Sequence, residues 1–258
     1  MIDEVVFVPE TTETDHLEWL QDLVKGSDQY SIGTTQDMKY SDHDLYFQID
    51  GDVVYIEDHT VPTMVNTKIQ HSKSLVVSAN VIHQFAVARF HQRPGVIVPY
   101  LPEPYLGQKQ LSENDSNNGH GLLWSILPSR MRKPFESNSY QNPHTGEDEN
   151  WVVQAKQHYS FLYHLAEGTL GVYKFPSWTN PPSTVSGAFT CIRGADMDLV
   201  SEWRLTSWLR ERTIIDGKGV VSHYSSDQGL GLLDLTDVVR RYQSFAEEYV
   251  CPRVESLI

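Results

Sequence analysis

Two kinds of hydrophobic patterning alternate along the chain. Short unbroken apolar runs at 4–8 (EVVFV) and 74–79 (SLVVSA) predict strands covered on both faces, the habit of parallel sheets. Residues 44–56 (DLYFQIDGDVVYI) form two further apolar stretches, split by Asp50-Gly51-Asp52. LGVYKF at 170–175, AFTCIRG at 188–194 and GVVSHYS at 219–225 also read as strands. Between them the period changes to that of a helix. Asp15 with Glu18 three residues on resembles a capping box, Leu17, Leu20, Leu23 and Val24 share one face, and Gly26 supplies a stop. Thr60 as N-cap and Pro62 in the first turn open a second helix to about Gln70. A third runs from Trp151 to Glu167 and ends at Gly168, a fourth covers 197–212, and a last one occupies about 235–250.

Strands alternating with crossover helices predict one α/β domain over 1–258, with a central, mostly parallel sheet flanked by helices on both faces. Pro, Asn, Ser, Gly and Gln dominate the middle of the chain, so a loop-rich insertion is expected at about 107–150.

Composition narrows the possible partners. Twenty Lys and Arg against 34 Asp and Glu leave a formal charge of −14, which argues against nucleic acid, whose phosphates need a clustered basic surface. No run of about 18 apolar residues occurs, and the acidic start MIDEVVFVPE lacks the basic region of a signal peptide. A soluble or cytoplasmic chain without an integral membrane segment is the expectation. Cys191 and Cys251 are too few for a disulfide scaffold.

Asp50-Gly51-Asp52 carries the clearest chemistry. Two carboxylates interrupt apolar stretches, and the glycine between them permits a tight turn and close approach of a ligand. Carboxylate oxygens suit a hard divalent ion, Mn²⁺ or Mg²⁺, that keeps positions for phosphate oxygens. A plain polar turn is the alternative. Trp151, Gln154 and His158 fall on one helical face, where a ring could stack on a sugar and the polar groups could bond hydroxyls; a core face fits the same spacing. Phosphate-loop, dinucleotide, hydrolase-elbow and zincin motifs are absent.

The segment DLYFQIDGDVVYIEDHTVPTMVNTK resembles the metal-binding stretch of GT-A-type glycosyltransferases, in particular a fungal group. The resemblance continues in order through SLVVSANVIHQ, VIVPYLPE, WVVQAKQHYSFLYHL, AFTCIRGADMD, VVSHYS and DLTDVVRRYQSFAEEYVCP. It implies a GT-A-like domain that binds a nucleotide-diphosphate sugar through Mn²⁺ or Mg²⁺ and transfers the sugar to a hydroxyl acceptor. Carried over, Asp52 ligates the metal, Asp50 meets the ribose or the metal through water, and His223 completes the site. Asp196, after a strand and before a helix, stands where the family places an acid that receives the acceptor's proton, a position that also suits a helix cap. The QHYS string around His158 belongs to the same pattern.

One departure matters. Such domains have roughly a hundred residues before the paired acids, whereas Asp50 here follows a single clear βα unit, so an N-terminally shortened donor half is expected. A non-catalytic nucleotide- or carbohydrate-binding relative and a phosphohydrolase-like metal enzyme are the other readings.

Overall fold

The computed structural model describes residues 2–34, 38–82, 84–98, 151–181, 185, 187–200, 211–224 and 233–250. The insertion expected at 107–150 and the second cysteine, Cys251, lie outside these residues. In chain order the described elements are β1 (Val5–Phe7), α1 (Thr14–Val24), β2 (Tyr30–Ile32), β3 (Leu45–Ile49), β4 (Val53–Ile56), α2 (Thr60–Gln70) and β5 (Val76–Ile82). There follow α3 (Ala88–His91), α4 (Trp151–Ala166), β6 (Trp178–Thr179), β7 (Phe189–Arg193), α5 (Met197–Val200), β8 (Thr213–His223) and α6 (Val238–Phe245). None of the described helices is long and apolar enough to cross a membrane.

Six strands make one mixed sheet in the order β3-β7-β5-β8-β4, with β6 attached to β8. Only β5 and β8 pair in parallel within it; β3–β7, β7–β5, β8–β4 and β8–β6 are antiparallel. The expectation of a mostly parallel sheet is therefore corrected. Its physical basis was the unbroken apolar run, and that run reports burial on both faces rather than strand direction. β3, β5 and β8 do point the same way, but β7 runs against them between β3 and β5.

β1 and β2 pair in parallel as a separate two-stranded sheet. Its strands are only half-buried, unlike β5, every residue of which is buried.

Side chains of β5 and β8 alternate between two cores, as the pleat requires. Val77, Ala79 and Val81 of β5 with Ile214 and Val221 of β8 meet Met64 of α2, Phe189 and Cys191. Ile82 and Val220 face the other way, into a cluster with Phe161 of α4, Tyr173, Leu233, and Val238 and Tyr242 of α6. Burial pushes the Cys191 thiol up to about 12.

Some local expectations shift. Thr60 is the first residue of α2 rather than its cap; it is fully buried, and its hydroxyl donates to the Val220 carbonyl at 3.2 Å. Asp15 lies in the first turn of α1, which Glu13 precedes as the capping position. LGVYKF is a 3₁₀ turn, Leu170–Tyr173, instead of a strand. Its apolar residues are drawn into the core by Leu170 and Tyr173, a demand that either conformation can meet.

β8 carries an internal offset. Asp216 pairs with Ala79 but Val220 with Asn80, so Gly217, Lys218 and Gly219 bulge out of the ladder. Both glycines sit under other backbone: an added Cβ would stand 2.2 Å from the Phe175 carbonyl oxygen at position 217, and 2.5 Å from Thr60 Cα at position 219. The bulge lets α2 close onto the strand. Gly219→Ala should cost about 1–3 kcal/mol through overpacking, read as a lower midpoint in chemical denaturation; an unchanged midpoint would show that α2 yields freely.

The tyrosines of the second core give a pH dependence. Burial raises the phenols of Tyr159, Tyr173, Tyr224 and Tyr242 above their ordinary value, and that of Tyr55 up to about 12. A group raised on folding binds its proton more tightly in the native state. The stability it contributes is full below the unfolded phenol's value, about 10, and is lost as pH climbs beyond it. Burial lowers the Lys156 ammonium to about 8, and that group acts in the opposite sense, adding stability as pH rises from about 8 towards the unfolded lysine value. The phenol loss should therefore show as a fall in melting temperature only above about pH 10.

Candidate metal centre

The Asp50-Gly51-Asp52 turn leaves β3 where β7 begins. Its first amide is tied down, Asp50 N donating to the Ala188 carbonyl at 2.9 Å. The Asp50 carboxylate accepts the Asp52 amide at 3.1 Å, and Val53 N donates to the Asp50 carbonyl at 3.2 Å, which closes a compact Asx-type turn. An added Cβ at Gly51 would meet nothing within 4 Å. The glycine thus faces open space, where a ligand can come close to the backbone.

β3 and β4 lie on opposite edges of the sheet, yet three residues join them. Beyond this link, β4 pairs with the last residues of β8. The register is Ile56↔Val221 and Tyr55↔Ser222, then Val53↔His223, which leaves Val54 as an extra residue. This bulge draws Asp52 one position back along β8, and the Tyr224 amide donates to the Asp52 carbonyl at 2.8 Å.

As a result, Asp50, Asp52 and His223 each offer a ligand atom, all within 4.8 Å of one another. His223 Nε2 stands 3.4 Å from Asp50 Oδ2. That nitrogen is buried and makes no hydrogen bond, although the His223 side chain is 17% exposed and the Asp50 side chain 49% exposed. Two carboxylates and an unbonded imidazole nitrogen are a donor set suited to Mn²⁺ and related ions. Donors on one ion at about 2.1 Å lie at most about 4.2 Å apart, so small rotations of the exposed carboxylates close the set. The three residues expected to hold a metal are the three the fold brings together.

The other expected site residues are placed elsewhere. His158 is 1% exposed, inside the core beneath β8. Its Nδ1 lies 3.1 Å from the Tyr242 hydroxyl, which lies 2.8 Å from Ser222 Oγ, and its ring packs on Tyr224. Gln154, one turn earlier, is half-buried, and the side chain of Trp151 is outside the described residues. α4 is buried around most of its girth over 155–161, so the 151/154/158 spacing marks a packed face there and does not present His158 to a sugar.

Asp196 ends the turn Gly194–Asp196 at the other end of β7. The six steps from Ala188 to Gly194 extend about 20 Å, which separates it from the Asp50 turn. Its Oδ2 is 3.5 Å from Nζ of Lys68, a fully buried side chain. Lys68 donates to the Ser74 and Leu75 carbonyls, each at 2.7 Å. Burial pulls its ammonium below the ordinary value, and Asp196 opposes that shift.

Sequence reasoning passed over Ser222, Tyr224, Tyr242 and Asp234. The Tyr224 phenol donates to Asp234 Oδ1 at 2.6 Å; it is raised first by burial, then by that bond, then by the charges of Asp234 and Asp52. Period-two alternation through VVSHY was the available signal, since it places Ser222 and Tyr224 on the face opposite His223. No family model, no curated protein and no solved structure matches this chain.

Proposed function

We propose that the chain binds a nucleotide-diphosphate sugar through a divalent cation at Asp50, Asp52 and His223, in the manner of a GT-A-type glycosyltransferase. The observation that carries this reading is the convergence of those three donors from segments about 170 residues apart in the chain, with no hydrogen bond at His223 Nε2. A cation held there supplies the Lewis acid that neutralises a diphosphate leaving group. The chain's own part is to fix the donors. The Tyr224 amide and the Ala188 carbonyl hold the two ends of the turn, and the Val54 bulge sets its register against His223.

A second reading, binding without transfer, is favoured by a separate observation. Asp196, the acid that the resemblance offers as proton acceptor, is paired with Lys68 at the far end of β7. Proton acceptance from a hydroxyl needs the base within hydrogen-bond reach of it.

Two expected outcomes separate these readings. Asp52→Ala should abolish Mn²⁺-dependent binding of a nucleoside diphosphate in isothermal titration while changing stability by no more than a surface substitution does, about 0.5 kcal/mol. Unchanged affinity removes Asp52 from the site. Asp196→Asn should lower stability by about 1–3 kcal/mol, because the buried Lys68 loses its counter-charge, and should leave Mn²⁺-nucleotide affinity intact. If sugar transfer instead drops by about 10²–10⁴-fold at unchanged stability, Asp196 is the base after all.

A further inference from the structure

We infer that Tyr242 is a positioning residue for this metal centre, acting through Ser222 on the orientation of the His223 imidazole; the inference rests on the metal-site reading above. His223 supplies the one nitrogen donor of the set, and it stands at the last residue of β8, where a strand end ordinarily frays. Here both its chain neighbours are clamped. Ser222 Oγ meets the Tyr242 hydroxyl at 2.8 Å, and the same hydroxyl meets His158 Nδ1 at 3.1 Å. The three side chains come from β8, α6 and α4, with residue exposures of 0%, 5% and 1%.

On the other side, Tyr224 is held twice, by its amide to the Asp52 carbonyl at 2.8 Å and by its phenol to Asp234 at 2.6 Å. The bulge at Val54 fixes the third contact, the pairing of His223 with Val53. With the residues before and after it pinned, the Cα–Cβ direction of His223 is set by its surroundings rather than by the strand end alone.

Why would a buried hydroxyl be at position 242 at all? Packing does not ask for it: the ring stacks against Phe161 at 6.3 Å between centroids, a contact that phenylalanine would keep. Burying a hydroxyl costs free energy unless it is bonded, so its bonds to Ser222 and His158 are the reason it is tolerated. Groups that bond a metal-ligating imidazole directly typically govern about 10–100-fold of metal affinity. Tyr242 acts on His223 through Ser222 and the backbone between them, so the low end of that range is expected.

The test compares Tyr242→Phe, Ser222→Ala, the pair combined, and Phe161→Leu as a packing control from the same core. Mn²⁺ binding is followed by electron paramagnetic resonance on the full chain. Each single change in the hydroxyl chain should weaken Mn²⁺ by about tenfold, with the pair no worse than either alone. Phe161→Leu should lower the melting temperature at least as much and leave the affinity unchanged. Wild-type affinity in both Tyr242→Phe and Ser222→Ala, or an equal loss in Phe161→Leu, overturns the positioning role.

A second readout needs no metal. The His223 ring resonance in the metal-free protein should be single and sharp in wild type, and broadened or doubled in Tyr242→Phe. A ring unaffected by both Tyr242→Phe and Ser222→Ala overturns the inference even where the metal site stands. If wild type binds Mn²⁺ no better than Asp52→Ala does, the metal-centre reading itself has failed and this inference goes with it.

Discussion

The register of β4 against the end of β8 is the constraint on which the candidate centre depends. β8 is the strand with most neighbours in the sheet, pairing with β5, β4 and β6. Its position is set by the core on both faces. β4 must reach it from the far edge through a three-residue link, and one extra residue, Val54, decides which side chain of β8 the Asp50 turn confronts. Without that bulge, the pairing Tyr55↔Ser222 would continue to Val54↔His223. Asp52 would then lie one position further along and beyond the imidazole. Strand side chains alternate, so a slip of one residue reverses which face a group points to. A small irregularity in an otherwise regular ladder is therefore what makes three donors converge.

The same strand shows how backbone packing and chemistry are linked over a longer distance. Gly217 and Gly219 allow Phe175 and Thr60 to approach the bulge of β8, and Thr60 starts the helix that covers one face of the sheet. Glu57, just before that helix, locks the junction: its amide donates to the Val220 carbonyl at 3.0 Å and its carboxylate takes Lys174 Nζ at 2.6 Å. β4 is thus anchored at Glu57 and at Asp52, one at each end. Its four residues have little freedom to slide, which is what a short edge strand needs in order to hold a precise register.

Much of the fold was legible in the sequence. The elements α2, α4, β5 and β7 follow from helical period, from Thr60-Val61-Pro62 and Gly168, and from uninterrupted apolar runs, because burial imposes those patterns directly. The paired acids stood out for the opposite reason, two charges interrupting two apolar stretches, although the fold leaves those stretches, β3 and β4, only partly buried. Strand direction was not legible, since burial on both faces looks alike in parallel and antiparallel strands. The role of LGVYKF was hidden because a 3₁₀ turn can bury the same residues as a strand. At the site, Asp50, Asp52 and His223 were legible, the first two from spacing and His223 through the ordered family resemblance. Asp196 and His158 have residue types fit for chemistry, but their partners, Lys68 on one side and Tyr242 on the other, are distant in sequence, and only the fold shows that those partners use them.

Electrostatics gives the arrangement its direction. The chain carries a net charge of −14, and the two carboxylates of the turn stand together at its surface. Like charges this close repel, and their partial exposure lets water reduce that cost without removing it. A divalent cation there would offset the two carboxylate charges and relieve their repulsion, weakening the negative field that a diphosphate would meet. The imidazole of His223 contributes a donor atom without adding negative charge. If the proposed cation sits at this turn, it would offset the local negative charge for a phosphorylated ligand, a role that in an acidic protein otherwise falls to local Lys or Arg.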